Sequence, residues 1–164
     1  MARAQTGIGG AFTLVDGAGQ IVTGAEFRGK FLLIMFGYTS CPDVCPATLY
    51  KIAQALRLLG AEADELRVLF ITIDPTHDTP ALTARYALLF SDRIIGLSGS
   101  TAQVRQAEAL FHVYVGAKDS RTGAITHSVL LYLVNPAGQF IAALPDGLSA
   151  PDLADQLMAL MTAR

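Results

Sequence analysis

Few residues in this chain can act as soft donors or redox groups. The 164 residues include two cysteines, Cys41 and Cys45, and three histidines. The cysteines sit in Gly37-Tyr38-Thr39-Ser40-Cys41-Pro42-Asp43-Val44-Cys45-Pro46. A thiolate is both a nucleophile and a soft-metal ligand, so this spacing supports thiol–disulfide exchange and metal binding alike. It does not choose between them. A histidine joining the pair would make a trigonal site for Cu(I), or for Zn(II) or Cu(II) with further ligands. His127 is the candidate, because Thr126-His127-Ser128 interrupts an otherwise apolar run, which lets the ring face a site. His77 lies in the loop Asp74–Pro80, and His112 ends a helical segment, where a positive imidazole is favoured. Both read as surface residues. The plain reading of the cysteines is a structural disulfide, but so short a loop gains little stability from closure. Asp43 reads as a solvated turn residue. Asp74 and Asp78 read as loop and cap residues, or as acids beside the site.

The elements that must position these groups follow from periodicity. Phe31–Phe36 is a continuous apolar run and reads as a buried central strand. Gly37, Thr39, Ser40 and Pro42 read as the turn leaving it. Pro46 fits the first position of a helix, and Leu49, Ile52, Ala53, Leu56 and Leu59–Gly60 carry that helix to a glycine stop. Both sulfurs are thereby expected on a short loop at the amino end of a helix. Its unpaired N–H groups favour thiolate there.

Before the strand, Ala11–Val22 alternates around Asp16-Gly17-Ala18-Gly19 and reads as a hairpin. After the helix, Ala61–Glu65 reads as a loop and Leu66–Asp74 as a second buried strand. Thr79 caps a helix starting at Pro80 and reaching about Phe90. Ile94–Leu97 reads as a strand and Ala102–Phe111 as a helix. Tyr114–Val115 reads as a short edge strand, and Gly116–Gly123 as a polar insertion. Ile125–Val134 reads as one strong strand that turns at Asn135–Gly138 and returns over Gln139–Leu144. Ser149 caps the last helix. Strand–helix–strand order implies a parallel unit, and the late hairpin implies an antiparallel one. The whole predicts an α/β three-layer sandwich on a mixed central sheet, with an N-terminal β-hairpin extension. That order suits a thioredoxin-like fold, as one domain over 11–164 behind a flexible lead over 1–10.

Composition narrows the function classes. The chain is 52% hydrophobic and 16% charged, as a packed globule is, and its net charge is -2. With no basic run and no aromatic–basic interleaving, nucleic acid is not an expected partner. No apolar run approaches the ~18 residues that would span a bilayer. The first ten residues lack the apolar segment of a signal peptide and could be the edge of a longer protein.

Three motifs together resemble the Sco/SenC/PrrC family: Gly37–Pro46, then Asp74-Pro75-Thr76-His77-Asp78-Thr79-Pro80, then His127-Ser128 followed by an apolar strand and Asn135–Gly138. The similarity runs in order from about Gly10 to the last helix. It implies a thioredoxin-like copper-binding protein, with Cys41, Cys45 and His127 as ligands of one Cu(I) or Cu(II). Asp74 and Asp78 would be acids just outside the ligands. His77 stands where the family often has a basic or variable residue. The resemblance further implies a metallochaperone for the binuclear copper site of cytochrome c oxidase subunit II. Another periplasmic copper chaperone is an implied second partner. The domain would sit on the periplasmic side of the bacterial inner membrane, as a monomer, tethered by an N-terminal anchor. The alternative is a thiol–disulfide oxidoreductase that reduces the oxidase subunit's cysteines, or a thiol-based redox sensor. A peroxiredoxin-type peroxidase fits poorly, since Tyr38 and Pro42 stand where a threonine would precede Cys41 or Cys45.

Overall fold

The computed structural model describes residues 7–163. Its nine strands and four helices run β1 (Thr13–Val15), β2 (Ile21–Thr23), β3 (Phe31–Gly37), α1 (Val44–Leu59), β4 (Leu66–Thr72), α2 (Pro80–Leu88), β5 (Ile94–Leu97), α3 (Thr101–Leu110), β6 (Val115–Lys118), β7 (Ile125–His127), β8 (Leu130–Val134), β9 (Phe140–Pro145) and α4 (Ala150–Thr162). The central sheet has five strands in the order β5-β4-β3-β8-β9. β3, β4 and β5 are parallel, while β8 runs antiparallel to both β3 and β9. It is the mixed sheet of a thioredoxin-like α/β sandwich.

β3 lies in the middle because all seven of its residues are apolar or glycine, and all seven are buried. Successive side chains of a strand point to opposite faces, so β3 separates the layers. On the Gly37 face lie Phe70, Cys45 and, stacked on Phe70 at 5.5 Å, Tyr86 of α2. α4 packs against α1 in that layer. On the Phe36 face, Phe111 and Tyr132 form a ring cluster with Phe36 at 5.9 and 6.0 Å. α3 and the β1–β2 hairpin close that side, and Val15 joins the sheet edge by exchanging backbone bonds with Ser98. Thr79, Ser100 and Ser149 cap α2, α3 and α4 by accepting from Leu82, Gln103 and Asp152 N–H.

Several elements differ from the sequence reading. α1 starts at Val44, not Pro46, with Asp43 as its first flanking residue. Proline is tolerated at the third position because the first four N–H groups of a helix have no partner inside it. Cys45 therefore lies in the helix, while Cys41 lies in the loop before it. The stretch 60–65 is a 3₁₀ turn rather than an open loop. The expected single strand Ile125–Val134 is two. β7 pairs with β6 outside the main sheet, and β8 returns to β3. Ser128 makes the break: its N–H donates to Tyr114 C=O at 2.9 Å, and its hydroxyl accepts from Tyr114 N–H at 2.7 Å. The insertion 116–123 thus carries most of β6 and the turn into β7. Of the expected lead, residues 1–6 lie outside the described residues. At its end, Ile8 packs on the core and Gly9 N–H donates to Leu110 C=O at 2.7 Å.

Leu33 has no exposed surface in the central strand. Leu33→Ala is expected to cost about 3 kcal/mol through lost burial and a residual cavity. The check is a lower urea midpoint with an unchanged slope.

Candidate functional site

The site stands where β3 and β4 end. Gly37 O extends their ladder by accepting from Ile73 N–H at 2.8 Å, so the chain leaves both strands side by side. From β3 come Tyr38, Thr39 and Cys41, and from β4 come Asp74, His77 and Asp78. Gly37 is required by packing: a Cβ there would lie 2.8 Å from Cys45 Sγ and 2.9 Å from Phe70. The buried sulfur occupies the space that a side chain would fill.

Cys41 and Cys45 are free thiols, one half-buried and one buried. They lie near enough for each to shift the other's ionisation, yet their environments push their pKa values in opposite directions. Partial burial opposes ionisation of Cys41. The N–H groups of Cys45 and Asp43, the Cys45 thiol and the Tyr38 hydroxyl outweigh it and hold Cys41 below the ordinary thiol range. Burial pushes the Cys45 thiol up to about 12, with further repulsion from Cys41 and Asp78.

Asp78 holds the thiol loop from behind. It is fully buried and accepts four hydrogen bonds. Oδ1 accepts from Thr39 Oγ1 at 2.6 Å and His77 Nδ1 at 2.8 Å. Oδ2 accepts from Thr39 N–H at 2.9 Å and Thr72 Oγ1 at 2.7 Å. Burial raises its pKa, but the bonds from Thr39, Thr72 and His77 outweigh burial and leave the carboxyl below its ordinary value. Asp74 is also buried, but it faces the β6–β7 hairpin, where Lys118 Nζ pairs with its Oδ2 at 3.1 Å.

His127 is half-buried on β7. Its ring meets Tyr38 edge-on, with centroids 5.9 Å apart. Nδ1 lies 2.8 Å from the Ser128 carbonyl, to which it donates, which leaves Nε2 as the acceptor. Burial lowers its pKa, which favours the neutral imidazole that a metal requires. Tyr38 joins the two halves: its hydroxyl accepts from Ile125 N–H at 3.1 Å and lies near enough to Cys41 to favour its thiolate. The cysteines are thus brought together and His127 is brought beside Tyr38. Among the described residues no three His, Cys, Asp or Glu side chains converge closely enough to hold a metal ion. The donor types fit a soft metal, while a closed three-donor set requires the imidazole and the thiols to approach. His77 is exposed on the far side of Asp78, and His112 is the left-handed residue (φ 54°) that ends α3.

Sequence reasoning passed over Tyr38, Thr39, Thr72 and Lys118 as participants. Thr39 and Tyr38 adjoin the cysteine motif, and a polar residue entering an apolar strand end was the available signal. Lys118 carried none.

A family profile described as SCO1/SenC matches residues 1–162. The chain belongs to that family. The mitochondrial Protein SCO2 homolog of Homo sapiens is 40% identical over 159 residues, 94% of this chain and 60% of that protein. The chain therefore spans less than two thirds of this curated relative. ScoI of Bradyrhizobium japonicum, solved with copper bound, is 37% identical with a TM-score of 0.82, over 93% of this chain and 98% of that one. Yeast Sco1, also solved with copper bound, is 33% identical with a TM-score of 0.86, over 96% of this chain and 90% of that one.

Two outcomes test this geometry. Limiting iodoacetamide at pH 8 is expected to label Cys41 at least about tenfold faster than Cys45, read by peptide mass spectrometry. Asp78→Asn places an amide N–H₂ against one pair of donors and is expected to cost about 3 kcal/mol at pH 7. Because the folded carboxyl lies below its ordinary value, this contribution is complete above about pH 4 and lost as pH falls through the lower folded value. Urea unfolding of wild type and variant at pH 7, 4 and 3 should show the difference shrinking. A constant difference would contradict the assignment.

Proposed function

We propose that this domain carries one copper ion on Cys41, Cys45 and His127, for assembly of the binuclear copper site of cytochrome c oxidase subunit II. The observation that carries this reading is the donor set. Two thiols, one of them favoured as thiolate, and an imidazole all neighbour Tyr38, in a family whose solved members include copper-bound proteins. Two thiolates and an imidazole suit copper, which is the cargo here. Cys41 is the accessible donor and the one from which an incoming cysteine would begin displacement. Cys45, enclosed against Gly37, would leave last. The Ser128 carbonyl fixes the ring of His127 and its tautomer. The placement proposed is the periplasmic face of the inner membrane, as a monomer. Among the described residues no helix is long and apolar enough to cross a membrane.

The asymmetry of the thiols favours a second reading, reductant of the same subunit's cysteines. The Cys41 thiolate would attack one sulfur of the partner's disulfide, forming a mixed disulfide and releasing one partner thiolate. Cys45, losing its proton, would then attack Cys41 Sγ and release the second. The protein ends as the Cys41–Cys45 disulfide and the partner as two thiols. That disulfide removes two of the three donors, so copper load and the disulfide state exclude each other.

Copper titration tests the donor set and its coupling to the redox state. Reduced protein is expected to bind one copper per chain and oxidised protein none. His127→Ala is expected to lose Cu(II) affinity and its visible absorption while keeping the wild-type circular dichroism. Equal binding in both redox forms would reject the coupling, and an unchanged spectrum would remove His127 from the site.

A further inference from the structure

His127 rides on a two-stranded ribbon that shares no ladder with the five-stranded sheet. Such a ribbon is marginal by itself in water, so its position depends on what tethers it. Two side chains from the cysteine end of the main sheet reach it, and both act on one rung. Lys118 of β6 and Ile125 of β7 are cross-strand partners. On one side of that rung, Lys118 Nζ pairs with Asp74 Oδ2 at 3.1 Å. On the other, Ile125 N–H donates to the Tyr38 hydroxyl at 3.1 Å. Tyr38 and Asp74 stand just past the ends of the neighbouring strands β3 and β4.

The tethers differ in kind. Asp74 is 5% exposed, and among the described residues Lys118 is the cation paired with it. The carboxylate is buried and the ammonium half-exposed, so losing Lys118 would leave a buried charge without its cation. The Tyr38 bond satisfies a buried backbone N–H that would otherwise be stranded. Between the pinned rung and the Val115–His127 rung the ladder is irregular. An irregularity of this kind bends a strand and loosens the coupling between successive rungs.

We propose that Tyr38 and Lys118, the latter through Asp74, are positioning residues for His127. They pin the ribbon two residues before the imidazole and set its approach to the thiols. The bulge leaves the outer rung free to close the remaining gap. This rests on the reading of His127 as a copper ligand. The pinning itself is independent of metal.

The test uses the reduced, copper-free protein and then the Cu(I)-loaded protein, with the variants Lys118→Met, Tyr38→Phe and Lys118→Arg. Amide hydrogen exchange over 115–118 and 125–127 is expected to rise roughly threefold to tenfold in Lys118→Met and Tyr38→Phe, as the loss of one such tether allows. Exchange at Leu33 and Leu69 should not change, and Lys118→Arg should behave as wild type. Copper loss to a soluble Cu(I) chelator should speed up by a similar factor. Adding Lys118→Met to His127→Ala should speed hairpin exchange but not copper loss. Unchanged hairpin exchange in both variants overturns the proposal. So does an equal rise at Leu33 and Leu69, which would mean general loss of stability. If His127→Ala alone releases copper at the wild-type rate, the ligand reading fails, and the exchange data still judge the pinning.

Discussion

A single buried carboxylate organises the thiol end of this domain. Asp78 receives donors from the cysteine loop, from the end of β4 and from its own loop. Both of its oxygens are doubly used, and only an ionised carboxylate accepts on every side while offering no donor of its own. Ser98 Oγ in turn donates to the Asp78 carbonyl at 2.6 Å, so the loop after β4 is held from the next strand as well. The cost of removing a charge from water is offset here by four directed bonds. The result is a thiol loop whose backbone is set before any ligand arrives.

The unlike behaviour of the two thiols follows from that frame. Cys41 sits before α1, where backbone N–H groups and the Tyr38 hydroxyl converge on its sulfur. Cys45 sits inside the first turn of α1, pressed against Gly37 and Phe70 with no exposed surface. The same Asp78 charge that orders the loop also disfavours a second thiolate nearby. One sulfur is therefore available to react or exchange and the other is enclosed. Both the copper-carrying and the disulfide-reducing readings use this difference.

The imidazole reaches the site by another route. The cysteines belong to the rigid β3–α1 junction, whereas His127 comes on a separate ribbon held by Lys118 and Tyr38. On the proposed copper reading, a site divided between the core and a tethered ribbon would take up an ion and give it up without disturbing the core. Among the described residues the thiols and the imidazole do not form a closed three-donor set.

What could be read from the residues alone was local. The apolar run Phe31–Phe36 indicated β3, and Thr79 and Ser149 marked helix starts, because caps and periodicity are short-range properties. The cysteine motif and its order relative to Asp74–Pro80 and His127-Ser128 were enough to indicate the family. The start of α1 was misread because proline is compatible with several positions of a first turn. Ile125–Val134 was misread because its apolar pattern does not reveal that the chain changes partners at Ser128. Donor types, the helix caps and the central strand were thus written in the sequence itself. Which carboxylate buttresses the thiols, which one holds the hairpin, and which sulfur is enclosed were decided only by tertiary structure. Those outcomes depend on contacts such as Thr39 with Asp78 and Lys118 with Asp74, which join segments far apart in the chain and exist only once the sheet has formed.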